Sequence, residues 1–322
     1  MPSAMKQGFL FTITLIVVGA VSLISFTAPL RISSYAPRIS TIIVDAGHGF
    51  MGSMDKRNGA SGDNHTEDQI SYEVTKKLVD ALKKSMPDVV ILESRPTPFY
   101  VGLKERAEFA NRNKGNLFIS VHCNWVPPLR EVIKTGTRTQ TYYVKSKGKK
   151  IKKTKQVPIY KTIYHPNPAK GTETYVFASH KSEDKEEIIL ENGDVFQNEK
   201  EDSTLVINYS DPIVKQQAAL WTKQFFTNSV KLASLVEEEF VSSGRFSRGV
   251  KQRQKGIWVL QATAMPSILI ELGFLSNSDE EAFLASEEGQ VKTAEAISKA
   301  VRRYKDLIEK GASVQAVQTK TK

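Results

Sequence analysis

Cysteine is almost missing from this chain: its 322 residues include one, Cys123. An internal disulfide is excluded, and any metal site must draw mainly on five histidines and 35 acids. Charge is missing from Gly8 to Ala28 (G-F-L-F-T-I-T-L-I-V-V-G-A-V-S-L-I-S-F-T-A), a run that comes after Lys6 and is long enough to cross a bilayer as a helix. Residues 1–30 therefore read as a signal peptide or an uncleaved signal anchor. The run is long for a signal-peptide core, and Pro29 is a poor residue to come after a cleavage site, so the anchor is favoured. Either reading exports the remainder of the chain, to the periplasm or cell envelope, with residues 8–28 as the inner-membrane anchor in the second case. Internal repeats and appended binding modules are absent as well.

Acids are missing from one stretch in particular. From Lys134 to Lys161 there are ten Lys or Arg residues and no Asp or Glu. Without them the basic and acidic residues balance at 35 each, so the net charge of +10 belongs to one patch. Export and this confinement argue against a nucleic-acid partner. The patch is read in two ways: as a solvated loop, or as a surface for anionic glycan, membrane headgroups or an acidic partner.

Thr41 to Gly49 (T-I-I-V-D-A-G-H-G) reads as a buried strand that presents His48 at its C-terminal edge, flanked by two glycines. Residues 31–40 are a linker before it, and Phe50 to Thr66 is a polar loop after it. Thr66 can cap a helix over Glu67 to Ser85, where Ile70, Val74, Leu78, Leu82 and Met86 recur at helical spacing. Strands are expected over Asp88 to Glu93 and Asn116 to His122, with a helix over Gly102 to Asn113 between them. The proline-bearing stretch 125–170 reads as a basic insertion, in which T-Q-T-Y-Y-V and V-P-I-Y can pair as a hairpin. T-E-T-Y-V-F, Gly256 to Leu260 and Ser267 to Leu272 are further expected strands. Asp211 to Val241, Ser278 to Ala285 and Glu288 to Glu309 are expected helices. The acidic segment 183–202 reads as partly helical, and 311–322 as an unordered tail. The fold class is α/β, with one catalytic domain over 41–310. It has a single mixed, mostly parallel sheet flanked by helices on both faces, phosphorylase/hydrolase-like, plus the insertion.

His48 and His122 end two strands at one sheet edge, and Glu67 opens the helix after the first. Two imidazoles and a carboxylate fit a catalytic zinc site with an open fourth position. Glu271 directly succeeds S-I-L-I, where an ionisable group is costly unless paired or functional. Asp45 reads as a partner that orients a ligand or forms a turn. Arg106 reads as one half of an ion pair with Glu105 or as a substrate contact, and Asn124 as a substrate contact or ligand-orienting group. His65 reads as solvated, and Cys123, on the opposite face from His122, as a buried small residue.

At these residues the sequence resembles the zinc-dependent N-acetylmuramoyl-L-alanine amidases of the bacterial cell wall. The motifs are I-I-V-D-A-G-H-G, Glu67 in T-E-D-Q-I-S-Y-E-V, L-K-E-R-A-E-F-A-N, L-F-I-S-V-H-C-N, G-T-E-T-Y-V-F, R-G-V-K-Q and M-P-S-I-L-I-E-L-G-F-L-S-N. They occur in family order over about Thr41 to Tyr304. The resemblance implies Zn2+ held by His48, Glu67 and His122, with Glu271 as general base and then acid. The implied reaction is hydrolysis of the amide joining N-acetylmuramic acid to the L-alanine of the peptidoglycan stem. Some division amidases of this family carry a helix after the G-T-E-T-Y-V strand that blocks the zinc until an activator protein releases it. Glu191, in the acidic segment, is the candidate for such an autoinhibitory ligand, the other reading being a carboxylate on a surface helix. Two departures stand out: Phe50 and Met51 replace a further glycine after His48, and 125–170 is long. A zinc carboxypeptidase acting on cell-wall peptides, and a non-catalytic cell-wall-binding protein, are the competing functions.

Overall fold

A computed structural model describes residues 38–52, 57–192 and 211–320. The apolar run at 8–28 lies outside them, as does the acidic segment beyond Asn192. Among the described residues, no helix is long and apolar enough to cross a membrane.

The core is one six-stranded sheet of β1 (Thr41–Ala46), β4 (Val90–Glu93), β5 (Leu117–Asn124), β8 (Thr172–Val176), β9 (Ser247–Gln252) and β10 (Ser267–Phe274), in the order β4-β1-β5-β10-β8-β9. The first four in that order run parallel, β8 pairs antiparallel to β10, and β9 runs parallel to β8. The sheet is thus mixed and mostly parallel. Two short strands, β2 (Gly49–Phe50) and β3 (Arg57–Asn58), pair beside it. Its central strands alternate strictly. Ile42, Val44, Ile119, Val121, Ile268 and Ile270 enter one hydrophobic cluster, while Ile43, Phe118 and Leu269 enter another. The first cluster is closed by α1 (Glu67–Ser85), α4 (Pro212–Ser242) and α7 (Glu287–Lys320), the second by α2 (Leu103–Arg112) and α5 (Trp258–Gln261). Both faces are covered, as parallel strands with apolar residues on each side require. The remaining helices are α3 (Ser182–Glu191) and α6 (Ser278–Ala285).

Helix starts obey local chemistry where the chain supplies it. Asp211 accepts a hydrogen bond from the Ile213 amide at 2.8 Å, with Pro212 in the first turn of α4. Thr66 occupies the corresponding place before α1 but makes no side-chain capping bond; the Glu67 amide instead donates to Ala60 O at 2.9 Å. That bond ties the helix start to the loop beside the site.

Two expectations need correction. Gly256 to Leu260 is not a strand: Ile257 leads into the short helix α5, whose Val259 and Leu260 are buried. A five-residue apolar run does not distinguish the two by periodicity. The sixth strand is the polar S-R-G-V-K-Q instead. Beyond Gly311 the backbone stays helical to Lys320, since no proline interrupts it and alanine and glutamine sustain helix. Within 125–170, where T-Q-T-Y-Y-V and V-P-I-Y are expected to pair, β6 (Leu129–Ser146) and β7 (Lys149–His165) form a separate two-stranded antiparallel ribbon, in place of the alternative of a solvated loop.

Candidate metal centre

β1 and β5 are parallel neighbours, so their C-terminal ends reach the same edge of the sheet. β1 leads into His48 and β5 carries His122 near its end, while α1 begins with Glu67 at its positive pole. Glu67 Oε1 receives His48 Nε2 at 3.0 Å, His122 Nδ1 at 2.9 Å and the Cys123 amide at 3.1 Å. Its Oε2 accepts from the Ala60 amide at 2.7 Å. Burial pushes the Glu67 carboxyl up, but hydrogen bonds from His122 and His48 outweigh it and hold the group far below the usual carboxylate range. The three residues offer ligand atoms that all lie within 4.8 Å of one another.

This arrangement fits a cation. Two ring nitrogens are directed at one carboxylate oxygen, and losing the protons between them leaves three donors converging on a common point. The surrounding backbone is shaped for that convergence. A Cβ at Gly47 would come within 2.4 Å of the His122 ring, and one at Gly59 within 2.9 Å of both His48 and Glu67. His48 itself sits in the left-handed region at φ 60°, a conformation unusual outside glycine that the neighbouring structure must enforce.

Two buried arginines enforce it. Arg95 donates to Ala46 O at 2.9 Å and to Gly47 O at 3.0 Å, and Arg106 donates to the carbonyls of Ala46 and His48. Arg106 also pairs with Asp45 at 2.9 Å, and Asp45 takes hydroxyl donors from Ser94 and Ser120. Both arginine side chains are fully buried. Asp45 therefore touches no ligand histidine; it anchors the arginine that holds the His48 turn. Arg106 pairs with Asp45 and not with Glu105, which accepts from the Gly102 amide at 3.1 Å. Arg95 carried no sequence signal, because the turn carbonyls it holds, Ala46 O and Gly47 O, lie some fifty residues earlier in the chain.

Glu271 pairs in register with His122 on the adjacent strand, so both side chains leave the sheet on one face. Burial first, and the Glu67 charge second, raise its carboxyl to about 8. Its Oε2 is buried without a hydrogen-bond partner among the described residues, and Oε1 lies 3.8 Å from the Arg253 guanidinium. The next strand places Glu173 opposite Glu271. Glu173 receives Arg248 at 2.5 Å, Lys251 at 2.6 Å, the Tyr175 hydroxyl at 2.7 Å and Asn124 Nδ2 at 3.2 Å. Asn124 is thereby linked to a carboxylate rather than to His122. Glu173 lies inside the G-T-E-T-Y-V-F motif, yet its cations come from β9, the strand the sequence did not disclose.

Other candidates lie elsewhere. Glu191 is exposed at the end of α3, which packs on α4 and α5, and it does not join the His48, Glu67 and His122 group. His65 is not simply solvated: its Nδ1 lies 3.3 Å from Glu281, which also accepts the amides of Asp63, Asn64 and His65. Cys123 is buried, and burial pushes its thiol well up.

Residues 42–303 match the model of the N-acetylmuramoyl-L-alanine amidase family. The chain is similar to the uncharacterized protein YqiI of Bacillus subtilis strain 168, with 27% identity over 267 residues, 83% of this chain and 85% of that one. Its fold is similar to that of an N-acetylmuramoyl-L-alanine amidase from Clostridium difficile 630, with a TM-score of 0.51 and 24% identity over 84% of this chain and 98% of that one. It is also similar to the CwlD amidase of Clostridioides difficile, solved in complex with the GerS lipoprotein, with a TM-score of 0.50 and 20% identity over 83% and 99%. At such identities these two structures speak for the fold alone.

Proposed function

The chain belongs to the N-acetylmuramoyl-L-alanine amidase family, and from that membership and the site geometry we propose that it hydrolyses the amide between N-acetylmuramic acid and the L-alanine of peptidoglycan stem peptides. The observation that carries this reading is the convergence of His48, Glu67 and His122 at the sheet edge beside the orphaned Glu271 oxygen.

In this reading His48, Glu67 and His122 hold a zinc ion. When bound, zinc supplies a Lewis acid for the amide carbonyl and lowers the pKa of water to roughly 7. Glu271 takes the proton of the attacking water and returns it to the leaving amine, as general base and then acid. Its partnerless oxygen is available for that exchange, and a neighbouring cation favours its carboxylate form. Arg95 and Arg106 keep the His48 backbone in its left-handed turn, so the imidazole stays aimed at Glu67. Export belongs to the same reading, because peptidoglycan lies outside the cytoplasm and an apolar run precedes the domain. A protein partner belongs to the same reading, as the CwlD amidase was solved in complex with a lipoprotein.

The test is digestion of purified sacculi by the full chain with and without a chelator, then mass analysis of the products. Release of intact stem peptides with free L-alanine amino groups, abolished by the chelator and restored by zinc, is expected. Cleavage inside the stem, or indifference to the chelator, overturns the reading.

A further inference from the structure

Nothing in the proposed reaction uses the β6–β7 ribbon. It is rooted beside the site: β5 ends at Asn124, the Val126 amide donates to Ser276 Oγ at 3.2 Å, and Asn167 Nδ2 donates to Pro127 O at 3.0 Å. Beyond that root, among the described residues, its two strands pair only with each other, over a length of roughly 55 Å at the usual strand rise. Positive φ at Lys147 and Gly148 closes the far end as a two-residue turn that matches strand twist.

The far end combines exposed apolar side chains with a dense set of lysines. Tyr142, Tyr143, Val144 and Ile151 are exposed there, and Val144 sits directly across from Ile151, on the same face as Tyr142. Lys145, Lys147, Lys149, Lys150, Lys152 and Lys153 interleave with them, and no acid does. Among the described residues no third strand pairs with the ribbon, and two strands alone cannot bury these side chains.

Charge complementarity requires an anionic surface, and two kinds exist outside a cytoplasm: wall polymers and phospholipid leaflets. The Val144–Ile151 pair decides between them. An exposed aliphatic pair gains nothing from a hydrated polyanion. At a bilayer it enters the acyl boundary, while the tyrosines sit at headgroup level and the lysines meet lipid phosphates. We propose that the tip of the ribbon, residues 142–153, docks on an anionic phospholipid bilayer and spaces the metal-site edge from the membrane by the length of the ribbon. This goes beyond the amidase reading and shares with it only the export of the chain.

The full chain carrying Ser146→Cys is labelled with an environment-sensitive fluorophore; buried Cys123 stays unlabelled. A second sample carries the label at Lys104→Cys on α2, an exposed body position. Each is mixed with vesicles of phosphatidylcholine alone or with phosphatidylglycerol added. The tip label is expected to shift to the blue, and to be quenched by acyl-brominated lipid, only on the anionic vesicles; the body label is not. Each lysine near an anionic leaflet contributes about fivefold to partitioning, so Lys145→Glu, Lys149→Glu, Lys150→Glu and Lys153→Glu together weaken the tip signal by about a hundredfold or more. Val144→Asp with Ile151→Asp removes the acyl quenching. A tip label that is silent on anionic vesicles, that responds equally on neutral ones, or that responds to purified sacculi alone overturns the proposal. So does an unchanged response in the lysine variant.

Discussion

The sheet edge and the β6–β7 ribbon use charge in opposite ways. At the edge, Asp45, Glu67, Arg95 and Arg106 are buried, and each is committed to named partners within hydrogen-bond reach. On the ribbon, ten cations stand on exposed strands. A buried charge with one partner set fixes a geometry, because leaving it unpaired costs several kcal/mol. An exposed cation fixes nothing and contributes to a field that salt screens. Single substitutions should therefore be severe at the edge and nearly silent on the ribbon.

The largest effect should come from Glu271→Gln, which keeps the shape and removes the proton acceptor. Turnover on sacculi should fall by about 10²- to 10⁴-fold, the usual worth of a positioned acid–base group. Bound zinc, measured by metal analysis after dialysis, should stay at the wild-type level. A variant that cleaves at the wild-type rate, or that loses its zinc, removes the role given to Glu271.

Next comes Arg106→Leu. It strands the Asp45 carboxylate with two hydroxyls and takes the donor from His48 O, so urea unfolding should show a loss of about 3–5 kcal/mol. Asp45→Asn combined with Arg106→Leu should recover part of that loss. Equal loss in the single and double variants would mean that the pair does not hold the turn.

The same contrast explains what could be read in advance. His48, His122 and Glu271 stood out as ionisable groups ending apolar strands, while the choice of Glu67 and the roles of all four came from the family resemblance. Strands β1, β5 and β10 were legible from their apolar runs. Strand β9 was not, because its Arg248 and Lys251 are satisfied by Glu173 across the sheet, and sequence alone shows them as loop-like charges. Arg95 was illegible for the same reason. The ribbon showed as two short β-prone pieces able to pair, without its full extent. Its pairing depends on register between strands, and Lys-rich β-prone pieces resemble a solvated loop until that register is known.

A buried lysine sharpens the comparison with those on the ribbon. Lys185 is fully buried on α3, donating to Leu260 O at 2.7 Å and Thr263 O at 2.6 Å. Burial pulls its amine down to about 7, against about 10.4 in the unfolded chain. Between those values the unfolded state binds more protons, so this residue makes stability rise as pH climbs from about 7 towards 10, by at most about 1.4 kcal/mol per unit. Below 7 its burial penalty is fully present. Lys185→Met should flatten that slope in urea titrations at stepped pH, whereas Lys150→Met on the ribbon should leave it intact. A slope that persists in Lys185→Met assigns it to another group.

The smallest effect should come from shortening the ribbon. Replacing residues 139–156 with Asn-Gly closes the Arg138–Val157 pair through a two-residue turn and keeps the root at Glu131 and His165. The removed strands pair with each other and not with the six-stranded sheet, so the core loses nothing. Stability should change by no more than about 0.5 kcal/mol, and Tm by no more than about 2 °C. Cleavage of soluble muropeptides should be unchanged, since the motif-bearing edge is intact. A large fall in Tm would show that the ribbon braces the sheet edge, and the division between a fixing region and a field-bearing one would fail.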